Sequence, residues 1–327
     1  MARQLTIAHE SWPIAGSFTI SRGTKTTAEV VTVTLSEDGA TGRGECVPYP
    51  RYDETVDGVI AALEAARPAI EAGMTRHEIA AAIGPRAACN ALDCALWDLE
   101  AKQTGTPVWQ LAGLSPPKPT VTAYTLSLDT PDAMATAAHD AHDRQLLKLK
   151  LGKDGDAERL RAIRAAAPSA RLIIDANEGW QPQDLPSLFA VCEETGIELV
   201  EQPLPAGNDE ALRTIPHPVT VCADESAHYR AGIAELIGKY DAINIKLDKT
   251  GGLTEMLATV EAAQEAGLGI MIGCMLATSL AMAPAMIAAG KADFVDLDGP
   301  LLLASDRNPG ITFNGSIMLP PPASLWG

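Results

Sequence analysis

The chain has 327 residues, 46% hydrophobic, 20% charged and 4% aromatic, which excludes a disordered chain and exceeds what one ordinary core organises. A net charge of −17 would repel phosphate backbones and anionic headgroups, so nucleic acid and membrane surfaces are excluded as partners and small molecules remain. Six cysteines without a Cys-x-x-Cys pair read as buried thiols of a reducing cytoplasm, and Met1 to Ile14 lacks the apolar run of an export signal.

From about Ile7 to Val47 the residues alternate and are rich in β-branched side chains, as in Glu29 to Leu35, and Glu37-Asp38-Gly39 supplies a turn. This predicts an antiparallel meander. Thr55 to Ala112 is Ala-rich with helical spacing, and Asn90 to Leu99 sets Leu92, Leu96 and Leu99 on one face. Ser115-Pro-Pro-Lys-Pro119 then breaks the chain, and the boundary between an N-terminal α+β domain and a barrel is placed there. Eight strands are predicted beyond it: Val121 to Leu126, Leu146 to Lys150, Arg171 to Asp175, Glu198 to Glu201, Val219 to Ala223, Ala242 to Lys246, Leu268 to Ile272 and Asp293 to Leu297. The uncharged stretch Leu268 to Ala289 could span a bilayer, but Gly269, Gly273 and Pro284 make it a buried strand, loop and helix.

Lys150, Asp175, Glu201, Asp224, Lys246 and Asp296 follow one another at about 25, 26, 23, 22 and 50 residues, the last gap being two units. That length fits one strand, one helix and two loops, so these groups recur at the same end of successive strands, the active-site end of a β/α barrel. Asp175, Glu201 and Asp224 end apolar strands, and three buried like charges need a cation. All-oxygen ligation points to Mg²⁺.

Lys148 and Lys150 share one side of their strand by period 2, and their mutual repulsion beside a divalent ion is expected to lower at least one pKa toward that of a general base. Lys246 ends a strand across the barrel, where it can reach the opposite face of a bound substrate, whereas its rival Lys249 is assigned to the following loop. Asp296 and Asp298 share a face on the last strand and suit a substrate ammonium.

The ordered set Lys148-x-Lys150, Asp175-x-Asn177, Glu201-Gln-Pro203, Asp224-Glu-Ser226 and Lys246 resembles the enolase superfamily in its muconate-lactonizing branch. Gly42-Arg-Gly-Glu45 and Ala95-Leu-Trp-Asp98 are similar to that superfamily's capping domain, and Asp296-Leu-Asp298 to the Asp-x-Asp motif of its dipeptide epimerases. The resemblance implies an α/β fold, a modified TIM barrel (β/α)₇β with an N-terminal α+β capping domain: cap 1–115, barrel 116–306, and a tail 307–327 returning to the cap. It also implies 1,1-proton transfer at the α-carbon of the C-terminal residue of a small dipeptide, of the Ala-Glu kind met in peptidoglycan recycling. Mg²⁺ on Asp175, Glu201 and Asp224 would hold the α-carboxylate and stabilise the enediolate, with Lys150 and Lys246 as the acid/base pair and Lys148 assisting.

By the same resemblance Asp296 and Asp298 hold the ammonium, and Thr125, Asn177, Cys274 and Met275 line the substrate. Arg22 or Lys25 answers a distal carboxylate. N-acyl amino acid racemisation, muconate-type cycloisomerisation and an inactive barrel used for binding stay open as alternatives, as does a homo-oligomer.

Overall fold

The computed structural model describes residues 2–84, 86–152 and 154–327. The N-terminal segment forms a three-stranded antiparallel sheet from Gln4–Ile20, Gly23–Glu37 and Ala40–Cys46. Asp38 and Gly39 turn the second strand into the third with φ of 49° and 82°, the left-handed geometry that a tight hairpin requires. Val31, Val33 and Leu35 project from one side of this sheet into a core shared with Val59, Leu63 and Ile70 of helix Val56–Glu71.

The helix Arg86–Thr104 differs from its one-sided expectation, because Ala87 to Leu99 are all buried. The sheet covers one side and the barrel the other. Trp97 Nε1 donates to Thr254 Oγ1 at 3.0 Å, and Asn90 Nδ2 to Asp248 Oδ1 at 2.8 Å. Gly44 explains the close approach on the sheet side: any Cβ there would strike the carbonyl of Ala91.

Beyond the Pro-rich break, eight parallel strands follow one another in space as in sequence: Tyr124–Leu126, Leu146–Lys150, Arg171–Asp175, Ile197–Glu201, Thr220–Ala223, Ala242–Lys246, Gly269–Gly273 and Phe294–Asp296. The first and last meet through Ala123 N–H on the Val295 carbonyl (2.8 Å), Leu297 N–H on Thr122 Oγ1 (2.8 Å) and Thr125 N–H on Asp298 Oδ2 (2.7 Å). Seven strand boundaries fall within two residues of expectation. The first does not: Thr120–Val121 leaves the barrel strand to pair with the tail hairpin Phe313–Asn314 and Ile317–Met318, partners too remote in sequence for local patterning to reveal.

Full helices follow the first, second, third, sixth and seventh strands, at Pro131–Asp140, Asp156–Ala166, Leu185–Glu194, Leu253–Glu265 and Ser279–Ala288. The fourth and fifth connections shrink to a 3₁₀ turn, Glu210–Arg213, and a single turn, Ile233–Leu236. The uncharged stretch after Leu268 is the expected strand, loop and buried helix, and among the described residues no helix is long and apolar enough to cross a membrane.

Inside the barrel, Ala123, Leu146, Ile173, Leu199, Cys222, Ala242 and Met271, one from each of the first seven strands, form a dry apolar layer. The chain ends against the cap helix, with Trp326 Nε1 on the Cys94 carbonyl (3.0 Å) and Gly327 N–H on Asp98 Oδ1 (2.8 Å).

Candidate active site

Inward-facing side chains of a strand recur every second residue, so the residues two places beyond the apolar layer form the next layer toward the strand ends. They are Thr125, Lys148, Asp175, Glu201, Asp224, Asn244 and Gly273, joined by Asp296, two beyond Phe294. Apolar material stops at once and every remaining side chain is polar.

Asp175, Glu201 and Asp224 are buried and present carboxylate oxygens within 4.8 Å of one another. Lys148 Nζ lies 2.6 Å from Glu201 Oε2, 2.7 Å from Asp296 Oδ2 and 3.4 Å from Asp175 Oδ2. From the second strand Lys150 Nζ donates to Asp175 Oδ2 at 2.5 Å, and from the sixth Lys246 Nζ donates to Asp224 Oδ2 at 2.7 Å. Strands three, four and five carry the carboxylates between them, so the two lysines flank the cluster.

Burial alone would push these lysines down, but the carboxylates beside them outweigh it and hold Lys148 and Lys246 well above the usual lysine range. The lowering expected beside a divalent ion concerned at least one of Lys148 and Lys150; for Lys148 the three adjacent carboxylates set the opposite direction. Burial likewise pushes the carboxylates up, and the ammonium groups reverse this for Asp175 and Asp224. Glu201 stays raised, by burial and by Asp175.

Glu201 Oε2 is buried without a hydrogen-bond partner, satisfied only by the charge of Lys148. An orphaned carboxylate oxygen within an all-oxygen donor set fits a hard divalent ion of the Mg²⁺ type.

Asp298 Oδ2 accepts from the Thr125 N–H at the barrel seam, while Asp296 Oδ1 is buried with no hydrogen-bond partner. Asn177 follows Asp175 with φ 46°, a left-handed conformation for a non-glycine residue, and its carbonyl accepts from Ser21 Oγ (2.9 Å) and Arg22 (3.0 Å) of the cap hairpin. Arg22 also reaches Glu178 Oε2 at 3.1 Å and Glu225 Oε1 at 2.8 Å. Lys25 is exposed, its ammonium 5.0 Å from the Tyr49 ring centre. Met275 is buried after the seventh strand, and Cys274 beside it is half-buried, unlike the other five cysteines.

Lys249 is not a loop residue. It lies on the one-turn helix Leu247–Thr250, is fully buried, and donates to Asp224 Oδ1 (2.6 Å) and to the carbonyls of Asp224 (2.7 Å) and Asn244 (2.8 Å). Strand alternation could not find it, because helical geometry begins immediately after Lys246. Sequence reasoning also missed the closing contacts of the cap: Arg51 grips Glu178 through two bonds of 2.9 and 2.8 Å, and buried Glu45 accepts from Thr278 and Arg307. Only the excess of acidic residues near strand ends hinted at partners for these arginines.

Residues 2–113 match the mandelate racemase / muconate lactonizing enzyme N-terminal domain, and residues 133–312 match the enolase C-terminal domain-like family. The chain belongs to the enolase superfamily. It is 44% identical to the L-Ala-D/L-Glu epimerase of Escherichia coli (strain K12) over 95% of this chain and 98% of that one. It is 42% identical to the N-acetyl-D-glutamate racemase of Pseudoalteromonas sp, over 91% and 95% respectively. Both relatives are isomerases, and this superfamily member is one.

Among solved structures, an Agrobacterium tumefaciens enolase family member with homology to dipeptide epimerases, holding sodium and L-Ala-L-Glu, superposes with a TM-score of 0.97 at 54% identity, covering 99% of this chain and 100% of that one. The dipeptide epimerase of Enterococcus faecalis V583, complexed with Mg and L-Leu-L-Tyr, gives 0.90 at 30% identity, covering 98% and 97%.

Proposed function

We propose that this protein is a Mg²⁺-dependent dipeptide epimerase that moves a proton off and onto the α-carbon of the C-terminal residue, with L-Ala-D/L-Glu as its substrate pair. The observation that carries this reading is the placement of Lys150 and Lys246 on either side of one carboxylate cluster. A single base tends to return the proton to the face it left, whereas two ammonium/amine groups on opposite faces allow inversion.

A Mg²⁺ held by Asp175, Glu201 and Asp224 would supply positive charge for the substrate α-carboxylate and for the charge that develops there, and would offset the carboxylate charge that holds Lys246 protonated. Of Lys150 and Lys246, the one present as free amine takes the α-proton from its own face, and the other, present as ammonium, delivers its proton to the opposite face. Lys148, fixed between Glu201 and Asp296, contributes a permanent positive charge at the same end.

The unpartnered Asp296 Oδ1, with Asp298 beside it, suits the N-terminal ammonium of a dipeptide. Arg22, paired with Glu178 and Glu225, is placed to exchange a carboxylate partner for the distal carboxylate of Glu, with Lys25 more remote on Tyr49. Thr125, Asn177, Cys274 and Met275 complete the lining. In this reading residues 1–115 are the cap, 116–306 the barrel and 307–327 the returning tail, and the substrate is the Ala-Glu of peptidoglycan recycling in the cytoplasm.

The N-acetyl-D-glutamate racemase relative favours one second reading, N-acyl amino acid racemisation. An acyl cap carries no charge to meet Asp296 and Asp298, so the two readings separate on one assay. With Mg²⁺ in D₂O, L-Ala-L-Glu is expected to gain deuterium at the Glu α-carbon and to form L-Ala-D-Glu, faster than N-acetylglutamate exchanges. Faster exchange of N-acetylglutamate, or none across a dipeptide panel, would overturn the proposal.

A further inference from the structure

Each of the three carboxylates is held in the same asymmetric way. One oxygen is fixed by a group built into the framework: Asp175 Oδ1 by the Asn177 N–H at 2.9 Å, Glu201 Oε1 by Asn244 Nδ2 at 2.6 Å, and Asp224 Oδ1 by Lys249 Nζ at 2.6 Å. The other oxygen meets only the lysines of the reaction site: Asp175 Oδ2 faces Lys150, Glu201 Oε2 faces Lys148, and Asp224 Oδ2 faces Lys246.

The two kinds of partner differ in what they can give up. Lys246 has carboxylate partners only, so an arriving cation competes with it directly. Lys249 does not face that competition, because two of its three acceptors are main-chain carbonyls and its side chain has no exposure.

Asn244 is held by packing, with its Nδ2 on Glu201 and its Oδ1 buried without a hydrogen-bond partner. It is wholly buried, and its amide lies against Gly273, where a Cβ would collide with both its Oδ1 and its Nδ2. Asn244 stands in the inward layer with the carboxylates, and Lys249 on the turn after the sixth strand. Asn244 takes Glu201 Oε1 rather than the Oε2 that Lys148 holds, and Lys249 takes Asp224 Oδ1 rather than the Oδ2 that Lys246 holds.

A carboxylate oxygen that already accepts a short hydrogen bond is a poorer ligand than its free partner, so each of these groups is biased toward giving a cation one oxygen. Three such ligands suit a small ion that takes six oxygens in near-octahedral geometry and keeps several for water and substrate, the habit of Mg²⁺. Ca²⁺ takes six to eight oxygens and readily accepts bidentate carboxylates, which these pins disfavour. We propose that Asn244 and Lys249 are positioning residues that hold Glu201 and Asp224 to one cation-facing oxygen each, and thereby make the centre select Mg²⁺ over Ca²⁺. This rests on the reading of Asp175, Glu201 and Asp224 as a divalent-metal site.

The test needs no turnover. The full chain, stripped with chelator, is titrated separately with MgCl₂ and CaCl₂ by calorimetry, as wild type and as Lys249→Met and Asn244→Leu, with circular dichroism confirming the fold. Wild type is expected to bind Mg²⁺ more tightly than Ca²⁺. Each variant is expected to lose about tenfold or more in Mg²⁺ affinity, the usual scale for partners of metal ligands, while Ca²⁺ affinity holds or rises. A parallel loss for both ions, which a merely structural role would give, overturns the proposal, as does an unchanged ratio.

Should Lys249→Met not fold, Lys249→Gln, which keeps a polar end but cannot span the three acceptors, is expected to move the ratio the same way. A wild type that prefers Ca²⁺ overturns the proposal without any variant. A wild type that binds neither ion removes the metal-site reading itself, which separates that failure from a failure of the pins.

Discussion

Two layers inside the barrel, one residue pair apart on the same strands, have opposite characters. The lower, from Ala123 to Met271, is dry and uncharged, and it contributes stability simply by burial. The upper crowds Lys148, Asp175, Glu201, Asp224 and Asp296 into contact, where desolvation is costly and the charges balance only against one another. Stability and chemistry are thus assigned to adjacent floors of one scaffold, and a side chain's floor predicts what its loss will do.

The sharpest break between the floors comes from the lysines. Lys150→Ala and Lys246→Ala are each expected to lower epimerisation by about 10²–10⁴-fold per folded molecule, the usual worth of a positioned acid or base, with melts run in Mg²⁺ so that the cation balances the carboxylate each lysine leaves. Steady-state kinetics beside thermal melts checks this, and wild-type rates in either variant would remove that lysine from its role.

The lower floor should answer in the opposite way. Leu199 is fully buried in the apolar layer, and Leu199→Ala is expected to cost roughly 2–5 kcal/mol of stability while the molecules that remain folded turn over at roughly the wild-type rate. Urea denaturation with activity normalised to folded protein measures both. A large kcat loss without a stability loss would mean the floors are not separable.

On the proposed function Asp296, which ends the last strand, and Asp298, two residues beyond it, bind rather than react. The double variant Asp296→Asn with Asp298→Asn is expected to raise the KM for L-Ala-L-Glu by the equivalent of about 1.5–3 kcal/mol, the worth of hydrogen bonds to a charged group. N-acetylglutamate handling should be unaffected or improved. Unaltered dipeptide KM would contradict the ammonium assignment.

A pH-dependent effect lies outside both floors, where Asp248 accepts from the Val47 N–H and Asn90 between cap and barrel. Burial pushes its carboxyl up to about 7. An acid raised on folding stabilises fully below its unfolded pKa near 4, and that stability is lost as pH rises through about 7. Asp248→Asn should therefore remove a slope of at most about 1.4 kcal/mol per pH unit between those limits, read from denaturation at several pH values. An unchanged slope would show that Asp248 does not titrate there.

The upper floor was largely legible in the sequence because barrel geometry repeats. Strand alternation put Lys148 with Lys150, and a recurring interval put Asp175, Glu201 and Asp224 at equivalent strand ends. Lys249 was not legible, since the chain changes from strand to helix at Lys246 and the three-residue offset then turns the side chain inward rather than out. The split of Thr120–Val121 from Tyr124–Leu126 and the Glu45–Arg307 contact depend on segments about 200 and 260 residues apart, beyond any local pattern. The direction of the lysine shifts depended on how many anions surround each ammonium, a quantity that only three-dimensional packing supplies.

Two lysines that serve opposite faces of one carbon leave a stereochemical signature, read by following α-hydrogen exchange in D₂O by NMR for Lys150→Ala and Lys246→Ala, each starting separately from L-Ala-L-Glu and L-Ala-D-Glu. Each variant is expected to exchange the α-hydrogen of one epimer without inverting it, and the two variants to choose opposite epimers. If both variants retain exchange of the same epimer, or both still invert, the two-faced site is wrong.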